Sequence, residues 1–328
     1  VLSRTVVVGQ PAFLSIEDAQ LVVAFQEDAR RVVAPGLRPG AKGSDHPRVP
    51  LEDLGVLVLE GPGIALTKDL LAECAARNVA VVVCDARHLP AAQLVPYEAH
   101  TLAGKVFREQ LEASLPLKKQ VWKQIVQAKL REQARALSPS PQEGRGGRGV
   151  RGAQARILAL AEKVASGDPE NREAQAAAVY FEALFGKEFV RDRDEPGLNA
   201  MLNYGYAVMR ACVARAIVGT GLHPALSVHH DSQYNAFGLV DDAMEPLRPI
   251  VDRQVLAVLG DGPVPDALTP PVKRALLQFL EHDVAVGGKT MPLSVGLGHY
   301  AASLKRVLCG KARKVSFPSR LERQAAGA

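Results

Sequence analysis

Over roughly the first ninety positions apolar residues alternate with polar ones or gather in short runs, and beyond them they recur every three or four residues almost to the end of the chain. The first pattern belongs to strands and the second to helices that bury one face. Runs at 4–8, 19–26, 29–34, 55–59 and 79–84 predict strands, and Pro35-Gly36, Pro39-Gly40 and Gly61-Pro62-Gly63 supply the turns between them. Positions 79–83 are apolar throughout, which predicts a strand covered on both faces. Thr67 predicts the N-cap of a helix that runs through Arg77.

The helical stretch opens at 102–137, with Val106, Leu111, Leu115, Trp122, Ile125, Val126 and Leu130 at core-like positions and Pro116 placed to kink or divide it. Segment 138–153 is rich in Gly, Pro and Arg, cannot pack, and predicts a flexible loop. Asp168 as N-cap, Pro169 at the first position and Gly186 at the end predict a helix carrying Glu173. Further helices are predicted over 197–218, over 237–259 with Asp242 and Glu245 on it, and near 271–282 and 292–308. The expected fold is α+β: a small β-rich N-terminal domain over 1–95, a larger all-helical domain over 96–308, and a basic tail over 309–328.

The formal charge of +5 gains meaning from its distribution. Residues 102–153 hold eleven Lys or Arg against four acids, residues 301–328 hold seven against one, and the remainder is net acidic. Segregated basic charge suits a surface that meets a polyanion, although solvated helix faces explain a single basic block equally well. The Arg/Gly loop can follow a nucleic-acid backbone or serve as a plain linker. Cys74, Cys84, Cys212 and Cys309 form no C-x-x-C pair and read as free thiols. No run is long enough to span a bilayer, and the apolar start is too short for a secretion signal, so the expectation is a cytoplasmic protein away from membranes.

Candidate chemistry lies in the helical part. Asp242 and Glu245 stand three apart on one predicted helix, with Asp241 four before Glu245, so their carboxylates crowd one face unless a cation or basic partners join them. His229 and His230 lie just upstream, and carboxylates with an imidazole suit Mg²⁺ or Mn²⁺. Each residue also has a plain structural role open to it. Glu173 complements the helix dipole, His230 serves as a capping or core histidine, and the acidic group forms an ordinary first turn. The chain has no G-x-S-x-G elbow, P-loop or dinucleotide fingerprint, which disfavours acyl transfer and nucleotide hydrolysis.

In order and spacing, several segments resemble CRISPR-associated protein one, the spacer-acquisition integrase, and its type II branch in particular. They are Pro50 to Leu59, Val79 to Pro90, Leu115 to Lys119, Gly167 to Glu173, Leu202-Asn203-Tyr204-Gly205-Tyr206, His229-His230-Asp231 and Asp242 to Arg248. The resemblance implies that the β-rich domain dimerises and that the helical domain is catalytic, with Glu173, His230 and Glu245 as catalytic metal ligands. Asp242 matches an acid that touches the metal in some relatives, and His229 is a weaker match than His230. It further implies Mg²⁺ or Mn²⁺ as cofactor and a DNA endonuclease and integrase that inserts foreign fragments as new spacers by 3′-hydroxyl attack on repeat phosphodiesters. The implied partners are double-stranded DNA, a second copy in a homodimer, and a small second CRISPR-associated subunit bridging two dimers. The competing reading is a non-catalytic DNA-binding scaffold of the adaptation complex.

Overall fold

The structure is a computed structural model. It describes all residues except 1–3, 26–45, 87–89, 97–98, 139–147, 193–194, 261, 266 and 322–328. The expected strand at 29–34, the turns at Pro35 and Pro39, most of the Arg/Gly loop and the end of the basic tail lie outside the described residues. The chain divides into two compact units, Val1–Thr101 and Leu102–Ala328.

Among its described residues the first unit contains two four-stranded sheets. In one, β1 (Arg4–Val8), β5 (Leu54–Leu59) and β7 (Ala80–Cys84) run parallel and β8 (Pro90–Leu94) closes the edge antiparallel to β7. The other has the order β4 (Arg48–Pro50), β3 (Gln20–Phe25), β2 (Ala12–Glu17) and β6 (Ala65–Leu66). Every residue of β5 is buried, as befits a central parallel strand. β7 is buried through Val82, and Val83 emerges to solvent. Leu14, Leu21 and Val23 of the second sheet join Val8, Leu57 and Val81 of the first in one core, sealed by Leu70 and Cys74 of α1 (Lys68–Ala76). Thr67 caps α1 as expected, its hydroxyl accepting from the Leu70 N–H at 3.3 Å.

The second unit is helical. α2 (Ala103–Leu111) and α3 (Leu115–Ala136) replace the single stretch from 102, because Ser114 caps a fresh helix with Pro116 in its first turn. Val106, Trp122, Ile125, Val126 and Leu130 are buried as expected. Leu111 and Leu115 are not: they stand 58% and 63% exposed because the chain turns between the two helices there. Arg148 to Gly152, expected as loop, begin α4 (Arg148–Glu162), since the apolar positions from Ile157 onward bury its far end and carry the turn before them.

α5 (Arg172–Phe185) begins later than Asp168, α6 (Leu198–Gly219) crosses the core, and α9 (Pro270–Leu277) precedes α10 (Leu293–Leu308). The helix expected over 237–259 is broken into α7 (Gly238–Met244), a 3₁₀ turn at Glu245–Leu247 and α8 (Arg248–Leu259). Pro246 and Pro249 lack the N–H groups that a continuous ladder needs. The unit is also not all helix: β9 (Asp283–Val286), β10 (Lys289–Pro292) and β11 (Ser319–Arg320) form a small antiparallel sheet. Gly287 and Gly288, both at positive φ, turn β9 into β10.

Candidate functional site

Four elements of the helical unit meet at one place: α3, the start of α5, the loop 227–231, and the 3₁₀ turn. Glu173 lies in the first turn of α5. Asn171, in the left-handed conformation, caps that helix by accepting from the Ala174 N–H at 3.3 Å. Asp168 stands outside the helix, yet its carboxylate takes the N–H groups of Arg172 at 2.9 Å and Glu173 at 3.0 Å. Positive φ at Asp168 and Asn171 folds the intervening residues into a turn, which is why Pro169 falls outside the helix instead of opening it. Two acidic or amide side chains thus fix where Glu173 begins.

The three acids that share a face in an unbroken helix are parted by the 3₁₀ turn, and each finds its own donors. Asp241 takes Arg210 at 2.5 and 3.1 Å and Asn235 at 2.8 Å. Asp242 is 0% exposed and faces the histidine loop. One of its oxygens accepts from the N–H of Val228 at 2.8 Å and of His229 at 2.9 Å, and the other meets the His230 N–H at 3.3 Å and His230 Nδ1 at 2.6 Å. Its carboxylate is therefore spent on shaping the loop and orienting His230, not on converging with Glu245. Because Asp242 can only accept, Nδ1 of His230 carries the hydrogen, and Nε2 keeps its lone pair while the ring is neutral.

Glu245 points to α3. Lys129 Nζ donates to Glu245 Oε2 and, at 2.5 Å, to Glu173 Oε1. Arg248 Nε donates to the other Glu245 oxygen at 2.8 Å. Two glutamates 72 residues apart in sequence thus converge on one ammonium group. Burial pulls the Lys129 amine down, but the Glu245 and Glu173 carboxylates outweigh it and hold the amine above its ordinary value. Burial likewise pushes the Glu245 carboxyl up, and the charges of Lys129 and Arg248 overcome it and hold the group ionised below the usual carboxylate range.

Trp122, two turns before Lys129 on α3, backs the histidines. Its ring stacks on His229 at 4.1 Å between centroids, with planes 4° apart, and meets the edge of His230 at 5.1 Å. Burial first, and then the neighbouring His230, depress the His229 imidazole. The hydrogen bond to Asp242 raises His230, and the charges of Asp242, Glu173 and Glu245 add to it. Glu173 and Glu245 therefore act on His230 through their field. Among the described residues no three His, Cys, Asp or Glu side chains close around one point.

The donor set fits a hard divalent cation. Two glutamate oxygens already share a positive centre, and an imidazole held by a buried carboxylate through Nδ1 is the usual form of a metal-binding histidine. Lys129 escaped the sequence reading because it sits among other basic residues, and Arg248 was noted only as the end of a resembling segment. A signal was present: Lys129 stands seven residues after Trp122 and four after Ile125, on the apolar face of its helix, where a lysine needs a buried partner.

The chain is similar to several known proteins. The sequence pattern of the family described as CRISPR associated protein Cas1 matches residues 5–268. The CRISPR-associated endonuclease Cas1 of Neisseria meningitidis serogroup C (strain 8013) is 41% identical over 244 residues, covering 74% of this chain and 77% of the relative. A CRISPR-associated endonuclease Cas1 of Pyrobaculum aerophilum is 32% identical over 219 residues, covering 64% and 72%. In fold, the chain is similar to a casposase bound to integration product, at TM-score 0.74 and 18% identity over 100% of this chain and 96% of that one. It is also similar to a CAS1 protein from Thermotoga maritima, at TM-score 0.69 and 15% identity over 94% and 98%. With the family pattern spanning both the β-rich unit and all the residues gathered around Lys129, this chain belongs to the CRISPR associated protein Cas1 family.

Proposed function

We propose that this chain is a divalent-metal-dependent DNA integrase and endonuclease of CRISPR spacer acquisition, with Glu173, His230 and Glu245 as the residues that hold Mg²⁺ or Mn²⁺. The observation that carries the reading is the convergence of Glu173 and Glu245, from separate elements, on a single cationic centre, with His230 within the field of both carboxylates. When bound, the ion would supply positive charge to the scissile phosphate and make an attacking 3′-hydroxyl more acidic.

The chain's own side chains prepare that chemistry. Asp242 fixes the tautomer and ring plane of His230, Trp122 closes the space behind both histidines, and Arg248 keeps the Glu245 carboxylate turned into the site. A strand's 3′-oxygen attacking a repeat phosphodiester forms one P–O bond as another breaks, so a new fragment is joined without external energy. Water in place of that oxygen gives nuclease cleavage. The basic side chains of the helical unit would hold duplex phosphates without reading bases.

The relatives support DNA and a second subunit as partners. Similar folds were solved as a Cas1–DNA complex from which this chain differs at all but 17% of aligned positions, and as a Cas6-RT-Cas1–Cas2 complex. We extend this to double-stranded DNA, a homodimer and a small bridging subunit for this chain. The test is strand transfer of a labelled fragment into a repeat-containing duplex with Mn²⁺. Glu173→Ala, His230→Ala and Glu245→Ala should each abolish transfer and leave duplex binding within about twofold. Transfer that survives in all three refutes the assignment, and DNA binding with no metal-dependent reaction marks the scaffold reading instead.

A further inference from the structure

We propose that Lys129 is a resident counter-ion that competes with the divalent cation for Glu173 and Glu245, so that metal binds only by displacing the lysine ammonium. This rests on those glutamates being metal ligands. Nζ of Lys129 lies 2.5 Å from Glu173 Oε1 and also donates to Glu245 Oε2. A divalent ion bonds carboxylate oxygens at about 2.0 to 2.2 Å, so an ion taking these two oxygens would stand where the ammonium stands.

The other Glu245 oxygen already accepts from Arg248 Nε at 2.8 Å, so an ion shared with Glu173 is best placed on the oxygen facing Lys129. Nor can Lys129 retreat with its helix. α3 is anchored on either side of it by Trp122, Ile125, Val126 and Leu130, all buried, and the lysine itself is only 8% exposed. Only its flexible four-carbon stem can swing the charge aside.

Two consequences separate this from a lysine that merely stabilises the fold. With Lys129 present, the charges of Lys129 and Arg248 balance those of Glu173 and Glu245, and a metal gains little until one of the ion pairs breaks. With Lys129 replaced by an uncharged side chain, the two carboxylates repel each other, the fold weakens, and a divalent ion restores what was lost. Stability without metal and affinity for metal should thus move in opposite directions. A purely structural ion pair would lower the first and leave the second unchanged.

The experiment is Mn²⁺ titration of the full chain by electron paramagnetic resonance, with thermal melts in chelator and in Mn²⁺, for wild type, Lys129→Met, Lys129→Gln, Glu173→Gln and Glu245→Gln. Both Lys129 variants should bind Mn²⁺ at least about tenfold tighter than wild type, since one positive charge within contact distance is gone. Their melting temperatures should be lower in chelator and rise more with Mn²⁺ than that of wild type. If a Lys129 variant is unfolded in chelator, recovery of its helical circular dichroism on adding Mn²⁺ supports the inference, and no recovery overturns it. Wild-type affinity in both Lys129 variants also overturns it, while leaving the glutamates as ligands. Mn²⁺ binding that is absent in wild type, or unchanged in both Glu variants, removes the metal-site reading itself.

Discussion

Replacing Asp242 by Asn tests whether this carboxylate builds the histidine loop. The side chain is fully buried and receives the N–H groups of Val228, His229 and His230 together with His230 Nδ1. An amide of the same shape has one acceptor oxygen. If that oxygen faces Val228 and His229, the NH₂ group opposes two donors of His230; if it is flipped, the NH₂ group opposes the two backbone donors at 2.8 and 2.9 Å. Either way two of the four contacts are lost and two donors lose their acceptor. Hydrogen bonds to a charged group contribute about 1.5 to 3 kcal/mol each, so the variant should lose about 3 to 5 kcal/mol. In a domain of this size that lowers the melting temperature by roughly 6 to 15 °C. The assay is thermal and urea unfolding followed at the helical signal, with proton NMR titration of the histidines. His230, raised chiefly by its bond to Asp242, should fall toward or below its ordinary value. A melting temperature within about 1 °C of wild type, with His230 titrating as before, would refute the latch.

Asp252 carries a pH signature: burial pushes its carboxyl up to about 6, against the opposing hydrogen bonds from Tyr206 and Tyr180. Because the folded value lies above the unfolded one, its contribution is complete below about pH 4 and fades as pH rises through 6; wild type should lose up to about 3 kcal/mol relative to Asp252→Asn between pH 4 and pH 7.5, measured by urea unfolding, and parallel curves would discard the idea. Gly205→Ala should cost about 1 to 3 kcal/mol, because the added methyl meets Val251 Cγ1 at 2.5 Å where α6 packs on α8; the further change Val251→Ala should recover part of that loss in the same melts, and an unperturbed single variant contradicts the packing. Trp122→Ala, which empties a buried ring from behind His229, should cost about 3 to 5 kcal/mol and shift the His229 resonances, and an unchanged His229 spectrum would contradict the stacking.

Much of the local structure follows from neighbours in sequence. Short-range preferences suffice for Thr67 to start α1, for Gly186 to end α5, and for short apolar runs to mark β1, β3, β5 and β7. A Gly-Gly turn between 286 and 289 was an available hairpin signal that helical periodicity on both sides obscured. The resemblance in ordered motifs pointed to Glu173, His230 and Glu245; the fold brings the two glutamates to one lysine, while His230 bonds Asp242.

What sequence alone determined was the change from strand to helix, the capped ends of helices, and which residue types could bind a cation. The partners of the charges belonged to the tertiary structure. Local spacing placed Asp241, Asp242 and Glu245 on one face, but two prolines broke the helix and sent each acid to a different donor set. Lys129 looked like one more charge in a basic run until packing of α3 buried it between two glutamates from distant elements. Periodicity reports which face of a helix avoids water. It does not report which charges meet across the core, because that depends on how separate helices cross, and a buried charge is tolerated only where such a crossing supplies its counterpart.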